Sequence, residues 1–253
     1  MIGCYSIVTD YYNTIAINQS IMKCKITGKS YKTTRYIETK VNIGVDESAE
    51  HDLDNYQILK KDVTLYMRNM DLGYKYIIGS MKLYQLPHYD EGYQEEWGDC
   101  KSRCMIDLVD VKKRVCDYDS EEHDEDSAYF SHHILDEFYI RPQYRGKGYA
   151  YECLAEGLKQ AGCQDSFIYL YPCRMNVKED GRFEKFETKE KAPTLNKAQL
   201  RKFYKNMSPC VTSHTCKSYN TKGRHKGKET NETYLAVRMW DYTRARKSKQ
   251  GVI

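Results

Sequence analysis

Proline, phenylalanine and tryptophan are scarce in this chain: five, six and two of 253 residues. Tyrosine, at 24, supplies most of the aromatic bulk, so the core carries hydroxyls that each require a hydrogen-bond partner once buried. Long apolar runs are also lacking. The longest, Phe167-Ile168-Tyr169-Leu170-Tyr171, falls far short of the ~18 residues a membrane helix needs, which excludes such a helix. No basic segment leads into an apolar segment and a small-residue cleavage site at the start of the sequence, and the first glycine stands at position 3. Neither a secretory signal nor a myristoylation start is expected. Ten cysteines are scattered rather than clustered, which fits a reducing cytoplasm better than a disulfide framework. The charge excess is small: 40 basic against 36 acidic residues leave +4, too little to imply nucleic-acid binding by itself.

The length suits one large domain over residues 1–253. Tyr12, Ile15 and Met22 are spaced for one side of a helix, whereas Tyr36 to Ile43 alternates as a strand does. Val63–Met67 and Tyr76–Leu83 are β-rich runs around Asn69–Gly73 and predict a hairpin. From about 88 to 131 the chain turns acidic, with one short strand expected at Met105–Val111. Seven acids between Asp117 and Asp126 repel one another and predict a solvated insertion, or a docking surface for a polycation. A strand is expected over His133–Ile140, a helix from Ala150 to Ala161 closed by Gly162, and a strand over Ser166–Tyr171. A charged insertion at about 174–194, a helix over Leu195–Met207, a strand over Tyr234–Trp240 and a basic tail at 243–253 complete the order. The expected class is α/β (α+β mixed), a mixed twisted sheet with helices on both faces.

The segment Gln143-Tyr144-Arg145-Gly146-Lys147-Gly148-Tyr149-Ala150 lies between a strand and a helix. A helix start leaves amides unpaired and carries partial positive charge, so glycines that admit close backbone approach make it an anion cradle. Neither the three-glycine dinucleotide pattern nor a Lys-Ser/Thr nucleotide loop is satisfied, which points to a pyrophosphate of another kind.

This segment resembles the phosphate-binding motif of the GCN5-related N-acetyltransferase superfamily, Gln/Arg-x-x-Gly-x-Gly/Ala, at Gln143, Gly146 and Gly148. Leu135 to Pro142 is similar to the family's acidic-apolar-aromatic approach to that loop. The resemblance implies the acyl-coenzyme A N-acyltransferase fold and acetyl transfer from acetyl-coenzyme A to a primary amine of a protein, polyamine or amino sugar, without a metal. It also implies that Phe138, Tyr139 and Ile140 form a strand end that splays from its neighbour and offers backbone groups to the pantetheine and acetyl carbonyl. The amides from Arg145 to Ala150 would hold the pyrophosphate. Leu200-Arg201-Lys202-Phe203-Tyr204 is similar to the family's Leu-x-x-Phe-Tyr segment, making Tyr204 the candidate general acid for the departing thiolate.

Acetyl transfer needs a neutral amine, hence a base. Glu137 is the favoured base or ammonium anchor and Asp136 the runner-up, because neighbours on a regular strand project to opposite faces. His132 and His133 could relay protons. Cys210-x3-His214-x-Cys216 and Cys100-x3-Cys104 lack the two-residue spacing of zinc ribbons, so no metal is expected. An alternative function is nucleic-acid association through Lys217, Lys222, Arg224, Lys226, Lys228 and Arg244–Lys249 with interleaved tyrosines, as in an acyltransferase-like enzyme acting on modified DNA bases; another is a non-catalytic coenzyme A-binding protein. A homodimer stays open.

Overall fold

The computed structural model describes residues 15–23, 30–46, 57–87, 91–122, 130–164, 166–172, 195–206, 210–219 and 229–239. Among them, one eight-stranded sheet is formed by β1 (Ile15–Lys23), β2 (Ser30–Val45), β3 (Leu59–Asn69), β4 (Lys75–Leu86), β5 (Ser131–Ile140), β6 (Ser166–Leu170), β7 (Val211–Tyr219) and β8 (Glu229–Arg238). Their spatial order is β1-β2-β3-β4-β5-β6-β8-β7, antiparallel except for the parallel pair β5 and β6. The helices are α1 (Glu91–Lys101), α2 (Arg103–Glu122), α3 (Tyr149–Gln160) and α4 (Lys197–Lys205).

The predicted hairpin is present. Val63, Leu65 and Met67 alternate inward on β3, and the turn is held by the Asn69 carboxamide oxygen, which accepts from the amides of Asp71 and Leu72 at 3.0 and 3.1 Å. Each face of the sheet carries its own core. On one, α3 lays Cys153, Leu154 and Leu158 over Leu65, Met81, Leu135 and Ile168, and α4 adds Tyr204. On the other, α1 and α2 pack Tyr93, Trp97, Leu108 and Val109 onto Tyr84, Ile134, Phe167 and Tyr169.

Two buried tyrosines find the partners their hydroxyls require. Tyr234 donates to Asp107 at 2.5 Å, and the Tyr169 hydroxyl meets His132 Nδ1 at 2.9 Å. The C-terminus of α3 closes on Gly162 (φ 76°), with Gly162 N–H donating to Lys159 and Cys163 N–H to Leu158. Lys61, buried on β3, donates to the Ala161 carbonyl at 2.7 Å, a cation at a helix C-terminus.

Three expectations are corrected. Ile15 to Lys23 is strand β1, not a helix, while Tyr12 lies outside the described residues. The predicted strand Met105–Val111 lies inside α2, and residues 91–122 form a helical hairpin rather than an irregular insertion. Met105, Leu108 and Val109 are buried at helical spacing, and their β-branched neighbours suggested a strand. Strand β7 was not expected. It pairs only with β8 at the end of the strand order, so its Thr, Ser, His and Lys residues show little of the apolar alternation of a half-buried strand. The segment 174–194 and the tail 243–253 lie outside the described residues. No described helix is long and apolar enough to cross a membrane.

Candidate active site

The parallel ladder between β5 and β6 runs from Ser131–Ser166 to Leu135–Leu170 and stops there, but β5 continues to Ile140. The β4 side stays paired over this stretch, with Gly79 opposite Ile140 and Met81 opposite Phe138. The Arg141 amide donates to Ile78 at 2.8 Å, so the peptide groups of alternate residues face β4, and those of Phe138 and Ile140 point away from it, to the side on which β6 pairs lower down. The close approach of β4 and β5 explains Gly79: a Cβ there would stand 2.2 Å from the Tyr139 carbonyl oxygen.

The strand end leads through a 3-10 turn, Pro142–Tyr144, into the glycine loop. Gly146 (φ 69°) and Gly148 (φ 82°) both adopt the left-handed conformation, and a Cβ at either would meet nothing within 4 Å. Gly148 caps α3 without a side chain, leaving the first-turn amides of Tyr149 and Ala150 outside the helical ladder. Gln143, Gly146, Lys147 and Gly148 are exposed; Tyr144, Tyr149 and Ala150 are half-buried. One assignment needs correction. The Arg145 amide is committed to Pro142 O at 3.1 Å, so the cradle begins at Gly146. The Arg145 side chain folds back, its Nε donating to Ile140 O at 2.6 Å and its guanidinium 5.3 Å from the Tyr139 ring centroid. Arg35 of β2, not anticipated, donates to the Tyr149 hydroxyl at 3.1 Å and ties the start of α3 to the sheet.

Helix α4 docks against β5 and α3 here. Phe203 stacks on Phe138 with centroids 6.3 Å apart and on Tyr151 of α3 at 4.5 Å, and Tyr151 donates to the Phe203 carbonyl at 3.2 Å. Tyr204 is buried in the α3-side core, edge-on to Phe203. Asn196 opens the helix through a capping box with Gln199. Lys197 pairs with Glu232, which also accepts from the Tyr171 hydroxyl at 2.6 Å, so α4 is anchored to β8 and to the end of β6.

The paired acids depart from the alternation expected of them. The β4–β5 register slips between Lys82 and Leu83: Glu137 lies opposite Lys82, Leu135 opposite Leu83, and Asp136 is the extra residue of a β-bulge. Both carboxylates therefore reach one ammonium, Glu137 at 2.7 Å and Asp136 at 3.8 Å from Lys82 Nζ. Burial pushes the Asp136 carboxyl up to about 6, with Lys82 opposing and Glu137 reinforcing the shift. Burial works against the Lys82 ammonium too, but its hydrogen bond to Glu137 and the surrounding carboxylates prevail and raise its pKa.

His132 and His133 do not serve this site. Both are buried at the opening of β5, away from the loop that follows its other end. Burial drives His133 down to about 3. Cys116 of α2 meets His132 at 3.8 Å, so the part of α2 that leads into the acidic run also lies at that distal end. Among the described residues no group of three or more His, Cys, Asp or Glu is placed to hold a metal ion. Of the basic patch, Lys217 is exposed on β7; Lys222, Arg224, Lys226, Lys228 and Arg244–Lys249 lie outside the described residues.

Compared with family models, with curated proteins and with solved structures, the chain matches none. Sequence reasoning missed Lys82, whose partners depend on a bulge, and Tyr151, whose aromatic contact depends on where α4 docks.

Proposed function

We propose that this chain is an acetyl-coenzyme A-dependent N-acetyltransferase of the GCN5-related type, acting on a primary amine. The observation that carries the proposal is the end of the β5–β6 ladder at Leu135 and Leu170, beyond which β5 runs on to Ile140 and into a two-glycine loop at the N-terminus of α3. An extended cofactor arm bearing amides would hydrogen-bond to the peptide groups of Phe138 and to the Ile140 amide as a surrogate strand, the Ile140 carbonyl being taken by Arg145. Its pyrophosphate would lie on the amides from Gly146 to Ala150, where the helix dipole favours negative charge. Phe138, Phe203 and Tyr151 enclose the approach with apolar surface.

In this scheme an acceptor ammonium gives one proton to a carboxylate of the Asp136–Glu137 pair. The amine lone pair attacks the thioester carbon, a C–N bond forms, the tetrahedral adduct collapses and the C–S bond breaks. Tyr204 protonates the leaving thiolate and recovers a proton from the amide nitrogen. The products are the N-acetyl amine, free thiol and one proton delivered to solvent. No cysteine is needed, and burial raises Cys153 and Cys163 to about 12, away from nucleophilic use.

The test is incubation with labelled acetyl-coenzyme A and a panel of peptides, polyamines, amino sugars and amine-bearing DNA, with thiol release measured. Release stimulated by one acceptor class supports the proposal. Cofactor binding without stimulated release leaves a non-catalytic coenzyme A-binding protein, and no binding removes both.

A further inference from the structure

Lys82 has no part in the scheme above, yet both carboxylates face it. The bulge at Asp136 is the cause: in an unbroken strand Asp136 would turn to the opposite face from Glu137. The two contacts differ. Glu137 Oε1 accepts a charge-assisted hydrogen bond from Nζ at 2.7 Å, whereas Asp136 Oδ2 stands at 3.8 Å, beyond hydrogen-bond reach. The surrounding elements add Tyr84 from β4, Asp62 from β3 in a 3.0 Å pair with Lys60, and Lys101 from α1 in a 2.9 Å pair with Asp46 after β2.

We infer that Lys82 is a positioning residue that divides the work of the carboxylate pair, clamping Glu137 as a fixed anion and leaving Asp136 as the group that receives the acceptor's proton. The inference rests on the acetyl-transfer reading for its chemistry, though not for its geometry. Protonating Glu137 would strip the charge assistance from its short bond to Lys82, while Asp136 has no such bond to Lys82 to weaken. A base works best when its pKa lies near the operating pH, and the half-buried, bulged carboxyl lies nearer to it than an ordinary aspartate does. Lys82 keeps that carboxyl from rising further, so it sets the pH at which the site becomes competent.

The test follows the Asp136 carboxyl by carbon-13 NMR titration of the full chain without substrate, the resonance being identified by its loss in Asp136→Asn. In parallel, the pH dependence of kcat/KM is measured. The wild-type midpoint is expected near 6. Lys82→Met and Lys82→Gln should each weaken the acid by about tenfold, the acidic limb of the rate profile should move by the same amount, and Lys82→Arg should restore both. Two charge-removing variants are used so that a folding failure in one still leaves a measurement.

An unmoved Asp136 midpoint in a folded charge-removing variant overturns the role of Lys82. A midpoint that moves while the acidic limb stays, or turnover retained in Asp136→Asn, overturns Asp136 as the base. A wild-type chain that releases no thiol with any acceptor refutes the acetyl-transfer reading and the base with it, while the titration still decides whether Lys82 controls Asp136.

Discussion

Phe138 near the end of β5 and Phe203 on α4 stack nearly parallel, 10° between ring planes and 6.3 Å between centroids. This contact joins two segments far apart in the chain and helps to fix where α4 docks against β5. Phe203→Ala should cost about 1–3 kcal/mol of stability, from lost contacts to both Phe138 and Tyr151, and should weaken acetyl-coenzyme A binding. Urea denaturation and calorimetric titration check the two effects. Affinity unchanged beside lost stability would remove α4 from the cofactor site.

The glycine loop gives a sharper test. Gly146 has open space around its missing Cβ, so Gly146→Ala suffers only the positive φ, about 1–2 kcal/mol. Gly146→Asp adds a negative charge where a pyrophosphate would lie and should abolish cofactor binding beyond that strain. Equal affinity in the two variants would refute the phosphate assignment.

Gly79 is constrained by space rather than by φ. Its Cβ would meet a backbone oxygen at 2.2 Å, so Gly79→Ala must push β4 from β5. A loss of at least about 2 kcal/mol is expected, together with loss of turnover, because Phe138–Ile140 would shift as well. A fully stable, active variant would show that the two strands are not so close.

Asp136 makes stability depend on pH in a definite direction. Its carboxyl stands near 6 in the folded chain against 3.8 for an unperturbed aspartate, so the folded state binds the proton more tightly. The fold therefore loses stability as pH rises from about 4 through about 6. Asp136→Asn should remove this loss and gain about 1–3 kcal/mol at pH 8, with little gain at pH 4. Denaturation midpoints at the two pH values measure it; the same effect at both would place the group in solvent.

Tyr204→Phe removes one hydroxyl from a buried ring and keeps its packing. Turnover should fall by about 10²-fold with acetyl-coenzyme A affinity unchanged. Undiminished turnover would leave Tyr204 as a core residue only.

The strand, glycine loop and helix that frame the candidate site were legible in the sequence, because they follow one another locally. The positive φ of Gly146 and Gly148 and the α3 stripe of Leu154 and Leu158 follow from local spacing. What was not legible depends on partners distant in sequence. The alternation rule separated Asp136 from Glu137, but a bulge set by pairing with β4 brought them together on Lys82. The helices at 91–122 were obscured because acidic and β-branched residues suggest loop and strand when taken singly, and only the buried side of α2 shows the helical period.

The helical hairpin α1–α2 also bears on how the protein reaches this state. It separates β4 from β5 in the chain although the two strands are neighbours in the sheet, whereas β5, α3 and β6 form a local unit. The carboxylates belong to that unit and Lys82 to the preceding meander, so their meeting must await a costly long-range closure. On refolding, the α3 helix should become protected from hydrogen exchange before Lys82 exerts any influence on Asp136. Catalytic competence would then report completion of the whole sheet, and a half-folded chain that already holds the glycine loop would lack a tuned base.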